Sequence, residues 1–200
     1  MTSSARTADL QHRLVEVGLD ELRENGLAAV SIRAVARRAG VSHAAPGYAF
    51  GDRAGLLTAM AERGFGLLRE HLTADRLTGT STAGPLVGVG EAYLDFARRE
   101  PAVYSLLFDT DELDRDNPEL QAAGAAAFAT LVEHLPHRPA ETAPVELSPL
   151  LAWSVVHGLA GLERSGALSP QIADHDARLQ VENALLHWVA TIVSGDAGPS

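Results

Sequence analysis

The chain has neither cysteine nor lysine among its 200 residues, and aromatic residues make up only 5% of it. Without cysteine, disulfides, thiolate catalysis and thiolate metal ligation are excluded. Without lysine, arginine supplies all sixteen cations, which the Ala-, Gly- and Arg-rich composition explains as coding bias. With few aromatics among 46% hydrophobic residues, the core must be built from Leu, Val and Ala. The length suffices for one or two compact domains. No apolar run approaches the roughly 18 residues of a membrane span. The first ten residues lack the apolar centre of an export signal. A cytoplasmic protein with no membrane partner is therefore expected.

Enzyme signatures are missing too. There is no Walker A loop, no dinucleotide-binding glycine fingerprint, no nucleophile elbow and no His-Glu-x-x-His. Ser154 stands near His157, but no third group completes a triad. His134 and His137 are three apart with Pro136 between them, which disrupts a helical ligand pair. Asp109 and Asp111 alternate as in a calcium loop. Leu113, Asp114 and Leu120 then stand where a ligand, a glycine and a glutamate would be required, so the EF-hand pattern fails. No catalytic group, metal or cofactor is expected.

The formal net charge is −10, and it is unevenly spread. Residues 1–70 hold nine arginines against eight acidic residues, a balance of +1. Residues 71–200 hold seven against eighteen, a balance of −11. The acidic excess thus lies outside the first third, where it would aid solubility and repel DNA, and phosphate affinity in the first third must come from placement rather than bulk charge.

Helical periodicity dominates, with no sustained strand alternation, so an all-α fold of about nine helices is expected. Leu10, Leu14, Val15, Val17, Leu19 and Leu22 give a first helix, beginning near Ala8, a broad apolar face that ends before Asn25-Gly26. Asp52 is a plausible N-cap for a long helix from Arg53 to about Arg76, weakened midway by Gly64 and Gly66. Pro85 opens a helix to Arg99, and a short one follows Glu100-Pro101 to Phe108. An acidic turn over 109–118, read as a solvated loop, precedes an Ala-rich helix, about Pro118 to Leu135, and a Pro-rich linker. Two apolar helices, about Val145–Ser165 and Ile172–Ser194, close the chain before a polar tail. Leu147, Leu151, Val155, Leu159 and Leu162 line the first, and Leu185, Val189 and Ile192 line the second. Either both helices are core, or their faces meet a second copy.

Residues 26–53 carry the most specific pattern. Ser31 can cap a short helix Ile32–Ala39, Gly40 supplies a permissive turn, and Ser42 can cap a second short helix. Val35 and Val41 are apolar where the helices would pack, and Ala36 is small where their backbones would approach. Arg33, Arg37 and Arg38 lie on the polar side of the first helix, at positions able to reach phosphates. By spacing alone this is either a helix-turn-helix that touches DNA or an ordinary helical hairpin in a core.

The stretch resembles the N-terminal domain of the tetracycline-repressor-like (TetR) family of bacterial regulators. The resemblance lies in Gly26, Ser31-Ile32-Arg33, Val35-Ala36, Ala39-Gly40-Val41-Ser42, Phe50, Arg53 and Leu56-Leu57. Further on, Phe96-Ala97, Pro101, Tyr104 and Phe108 are similar to a "FA…P..Y…F" segment. Trp153 to Leu159 is similar to the Trp-His-Gly segment of one branch of that family. The chain departs from the pattern at the DNA surface. Gly47 stands where the family has an aromatic, followed here by Tyr48, and Ala49 stands where it has histidine or another polar residue. Gly47 costs its helix roughly 1 kcal/mol relative to alanine.

The resemblance implies a three-helix helix-turn-helix domain over residues 1–52 and a C-terminal helical bundle over 53–200 for effector binding and dimerisation. Within the first, His43, Ala44 and Ala45 would face base edges. Ser31, Arg33, Ser42, Tyr48 and Arg53 would lie on phosphates, and Gly47 stands at a position that contacts phosphate in the family. A small hydrophobic or aromatic effector would bind among Tyr93, Phe96, Tyr104, Phe108, Phe128, Trp153 and His157, with His157 alternatively a packed core histidine. Leu151, Val155, Leu159, Leu185, Val189 and Ile192 of the last two helices would form the interface of a homodimer on a palindromic operator. The effector would swing the long helix from Arg53, bending at Gly64 and Gly66. The whole reads as a ligand-responsive transcriptional regulator, a repressor rather than an activator. The alternatives are a small-molecule binder of the same fold with weak or lost DNA binding, and a helical enzyme or metal carrier.

Overall fold

A computed structural model describes residues 3–42, 44–78, 84–133, 147–168, 172 and 174–194. His43, residues 79–83, the linker with His134 and His137, and the tail from residue 195 lie outside the described residues. Among the described residues there are nine α-helices, one 3-10 turn (Leu27–Ala29) and no strand. The helices are α1 (Ser3–Asn25), α2 (Ile32–Ala39), α3 (Ala44–Phe50), α4 (Arg53–Thr78), α5 (Pro85–Arg99), α6 (Pro101–Phe108), α7 (Pro118–Val132), α8 (Leu147–Arg164) and α9 (His175–Ser194). The fold is all-α, as the periodicity requires.

Local chemistry explains most boundaries. Asp52 caps α4, its Oδ1 accepting the Gly55 N–H at 2.9 Å, and Asn117 caps α7 through the Leu120 N–H at 2.8 Å. Pro85, Pro101 and Pro118 each open a helix, where a missing N–H costs nothing. Several limits differ from the sequence expectation. α1 starts at Ser3 rather than near Ala8, because Ser3 to Thr7 contains no breaker. α9 starts at His175 rather than Ile172, because the Asp174 carboxylate and carbonyl take the N–H groups of Asp176 and Arg178. The 3-10 turn before α2 has no apolar period to announce it.

The chain forms two compact units, Met1–Leu67 with Glu100–Ala126, and Leu68–Arg99 with Ala127–Ser200. The expected domain boundary falls at the cap of α4, whereas α4 and α7 each contribute to both units.

In the first unit, α1 buries Leu14, Leu19 and Leu22 with Val30, Val35, Leu56, Leu57 and Met60. Each such leucine contributes about 1.5–3 kcal/mol of transfer free energy. Glycines permit the close approaches. A Cβ on Gly18 would stand 2.8 Å from Met60 Sδ, and one on Gly64 3.0 Å from Val103 and Leu107 of α6. Gly64 is therefore a packing residue, and α4 runs unbroken through it and Gly66. Two ion pairs tie the shell, Arg63 to Glu16 at 2.9 Å and Arg23 to Glu100 at 2.9 Å.

In the second unit, α5 packs against both α8 and α9. Val87, Val89, Tyr93 and Phe96 of α5 are buried, as are Val156, Leu159 and Ala160 of α8 and Leu186 and Val189 of α9. Gly90 lets α9 approach, since a Cβ there would lie 2.6 Å from Leu186 Cδ2. At one edge, Arg98 of α5 pairs with Glu163 of α8 at 2.9 Å and with the buried Glu182 of α9 at 2.5 Å.

Candidate nucleic-acid interface and effector cluster

The helix-turn-helix is built from caps. Ser31 has an extended backbone and its hydroxyl accepts the Ala34 N–H at 3.1 Å, which starts α2. Gly40 is left-handed (φ 66°, ψ 31°), a conformation that penalises any side chain. Its N–H donates to Arg37 O at 3.2 Å and the Val41 N–H donates to Ala36 O at 3.1 Å. This reciprocal pair is a Schellman closure, and it turns the chain into α3.

α3 is seven residues long and is stopped by Gly51 (φ 77°), whose N–H donates to Gly47 O at 2.8 Å. Pro46 lies in its first turn, where no intrahelical N–H bond is lost, and its ring is buried. Two side chains of α1 fasten the far ends of both short helices. Arg13 Nη2 donates to Ala39 O at 3.3 Å, and Gln11 Nε2 donates to Ala49 O at 3.1 Å. At the next corner, a Cβ on Gly55 would stand 2.1 Å from Phe50 O, so only glycine lets α4 leave α3 at this angle.

This scaffold presents the expected contact residues unequally. Tyr48 is 91% exposed, an aromatic ring held in water on the recognition helix. Ser42, Ala44 and Arg33 are exposed, while Ser31, Ala45 and Gly47 are half-buried. Arg33 and Arg37 form no ion pair among the described residues. Arg38 differs from the phosphate-reaching role its position suggested. It is held on α1 by Glu21 at 3.1 Å and by both oxygens of Glu24, whose carboxyl it pulls below the ordinary range. Arg53 is also engaged. Its Nε donates to Val30 O at 2.8 Å, its Nη2 to Leu27 O at 2.9 Å, and its Nη1 pairs with Glu112. No sequence signal announced Gln11 and Arg13 as fasteners, since a polar residue on an exposed helix face is the commonest of observations.

The expected effector residues divide between the two units. In the second, Tyr93 Oη and His157 Nδ1 are 2.9 Å apart. Trp153 lies against His157 with ring centroids 5.3 Å apart, and Phe128 meets Trp153 edge-on at 5.9 Å. Phe96 packs beside His71 at 6.0 Å, and His71 Nε2 is 2.9 Å from Asp95. Tyr104 and Phe108 belong to the first unit, where they contact each other at 4.8 Å and Phe108 meets Phe65 at 5.8 Å. A void of about 10 Å³, apolar and no larger than one water, lies between α5, α8 and α9, lined by Leu86, Gly90, Val155, Val156, Leu186 and Val189 among others. Among the described residues no cluster of His, Asp or Glu could hold a metal ion. Nor is any helix among them long and apolar enough to cross a membrane.

The apolar surface of α8 and α9 differs in part from the expected one. Leu159 and Val189 are buried inside the unit, and Leu151, Val155 and Leu185 are half-buried. The exposed apolar side chains are Leu150 and Leu162 on α8 and Leu179, Val181, Trp188 and Ile192 on α9. The reason is that α9 is apolar on several sides, so its period does not say which side meets α5.

Comparison with known proteins accords with this architecture. Residues 14–60 match the model of the bacterial regulatory proteins of the tetR family, and residues 86–186 match the tetracyclin repressor-like C-terminal domain. A solved protein of unknown function from Rhodococcus sp. RHA1 is 26% identical, with a TM-score of 0.69, covering 90% of this chain and 95% of its own. A TetR-family transcriptional regulator from Streptomyces coelicolor is 24% identical, with a TM-score of 0.62 and coverage of 92% and 99%. The regulator FadR from Bacillus subtilis, solved with stearoyl-CoA, is 16% identical, with a TM-score of 0.58 and coverage of 93% and 99%. No curated protein matches by sequence.

Proposed function

Because the chain belongs to the TetR family of bacterial transcription regulators, which bind DNA and carry out no chemical step, we propose that it is a repressor. In this reading it occupies a palindromic operator as a homodimer and leaves it when a small apolar or aromatic effector binds. Residues 1–52 read DNA, and 53–200 bind effector and dimerise. The observation that carries the reading is the capped pair α2–α3. Its recognition helix holds Tyr48 out in water at 91% exposure, and α2 carries Arg33 and Arg37 with no ion pair among the described residues. A bare aromatic hydroxyl and two bare guanidinium groups are phosphate-binding chemistry. His43, Ala44 and Ala45 face base edges, and Ser31, Ser42 and Arg53 complete the backbone contacts.

The effector site is built on the Tyr93–His157 pair and the Trp153–Phe128 wall, in the branch of the family marked by Trp153, His157 and Gly158. One hydrogen-bonding pair in an apolar surround suits a ligand with one polar group. That FadR was solved with stearoyl-CoA supports an apolar ligand within this fold. The dimer forms through α8 and α9, whose exposed Leu150, Leu162, Val181, Trp188 and Ile192 would otherwise face water. The protein acts in the cytoplasm, where its operator lies.

The test is binding of the purified protein to the DNA upstream of its own gene, followed by fluorescence anisotropy over a salt series. Binding that weakens steeply with salt supports the regulator. Absence of binding at low salt sinks it and leaves a ligand-binding protein of the same fold.

A further inference from the structure

The loop between α6 and α7 carries five carboxylates in eight residues, Asp109, Asp111, Glu112, Asp114 and Asp116. It is not the loosely solvated turn that its composition suggests. Leu113 is buried beneath it, and Arg115 donates to Leu107 O and Thr110 O at 3.1 Å each. The Glu112 N–H donates to Thr110 Oγ1 at 3.2 Å, and the Asp114 N–H donates to Thr58 Oγ1 of α4 at 3.0 Å. These bonds fix the loop against the first turns of α4 and deliver the Glu112 carboxylate to Arg53 Nη1.

Arg53 divides two functions among its nitrogens. Its Nε and Nη2 hold the carbonyls of Val30 and Leu27, which orients the guanidinium toward the turn before α2. The remaining nitrogen, Nη1, faces an anion, and in this structure the anion is Glu112. The side chains of Arg53 and Glu112 are 30% and 49% exposed, so the pair lies at the surface and can exchange partners with little desolvation. A carboxylate there offers the same paired oxygen acceptors as a DNA phosphate.

We propose that Glu112 is an intramolecular phosphate mimic that occupies Arg53 in the DNA-free protein, so that operator binding requires its displacement. The inference rests on the DNA-binding reading above. The acidic loop then has a regulatory role, because its seat on α4 decides whether Arg53 is available. A shift of α6 or α7 changes DNA affinity without moving the recognition helix.

The experiment is operator binding by four variants of the full chain, with the melting transition of each measured alongside. Glu112→Gln is expected to bind about two- to fivefold tighter than the parent, the range that an exposed ion pair controls. Asp111→Asn removes the same charge from the same loop without touching Arg53 and is expected to change affinity by less. Arg53→Gln is expected to weaken binding, and adding Glu112→Gln to it should produce no further change, since the pair no longer exists. The proposal falls if Glu112→Gln binds like the parent, if Asp111→Asn matches it, or if its effect persists without Arg53. If neither parent nor any variant binds DNA at low salt, the regulator reading itself falls, and the mimic with it. Binding by Glu112→Gln where the parent is silent would support both.

Discussion

Gln11 of α1 donates to the carbonyl oxygen of Ala49, at the end of α3, over 3.1 Å. That one bond answers a weakness built into the recognition helix, which is only seven residues long and contains Gly47. A helix so short is unstable by itself, and its last carbonyls have no intrahelical partner. Gln11→Ala should cost about 0.5–1.5 kcal/mol of stability, the net value of a hydrogen bond. Operator affinity should fall by more than that stability loss would cause, because α3 loses its orientation. Thermal melting and anisotropy on one preparation separate the two effects. Equal affinity for operator in parent and variant would show that α3 needs no such fastening.

Gly47 offers the opposite change. Nothing lies within 4 Å of a Cβ placed there, and its φ is not positive. Gly47→Ala should therefore stabilise α3 by about 0.5–1 kcal/mol through helix propensity. Hydrogen exchange of the α3 amides should slow. Unchanged exchange would mean that α3 is ordered by its neighbours alone.

Tyr48 separates function from stability. At 91% exposure it packs against almost nothing, so Tyr48→Ala should change stability by no more than about 0.5 kcal/mol. DNA binding should weaken about tenfold, with a loss of the same size on unrelated sequence if Tyr48 lies on phosphate rather than base. A loss confined to the operator would move Tyr48 to the base-reading set.

These residues also mark what a sequence can and cannot disclose. Ser31, Gly40, Asp52, Pro85 and Pro101 act on their own few neighbours, so the limits of α2, α5 and α6 and the start of α4 were legible from chemistry within a turn. Distant pairings were not. Arg38 and Arg53 look alike on paper, as arginines beside a helix-turn-helix, yet one is taken by Glu21 and Glu24 and the other by two carbonyls and Glu112. Gly64 was readable as a weak point in α4, whereas its neighbours on α6 make it a contact. In α9 the failure is one of degeneracy. Val189 and Ile192 are equally apolar, and only packing against α5 makes the first internal and the second 42% exposed.

Gly55 should be the least replaceable residue of the first unit. An added Cβ would meet the backbone oxygen of Phe50 at 2.1 Å, and a backbone atom has no rotamer to yield. Gly55→Ala should destabilise by about 2–4 kcal/mol, in the range of overpacking and strained-backbone substitutions. Gly158→Ala, in α8 with nothing within 4 Å, is the control and should be neutral or slightly stabilising. Denaturant midpoints compare the two, and equal midpoints would refute the tight corner.

Glu182 makes stability depend on pH in a direction opposite to that of most ion-paired carboxylates. Burial pushes its carboxyl above the ordinary value of 4.5. Arg98 opposes that shift and Glu163 reinforces it. A carboxyl raised in the folded state binds its proton more tightly there than in the unfolded chain. Its stabilising contribution is therefore fully present below about pH 4.5 and is lost as the pH rises through the folded-state value. At neutral pH the ionised Glu182 is a cost that Arg98, shared with Glu163, offsets only in part. Glu182→Gln should thus melt at or above the parent temperature at pH 7, with the difference closing toward pH 4. Arg98→Gln should do the reverse. It leaves two facing carboxylates without a cation, so it should destabilise by on the order of 2 kcal/mol at pH 7, a figure discounted for the partial exposure of Arg98. That penalty should shrink as the solution is acidified. A Glu182→Gln protein that loses stability at pH 7 and regains it in acid would show that the Arg98 pairing outweighs the burial of Glu182.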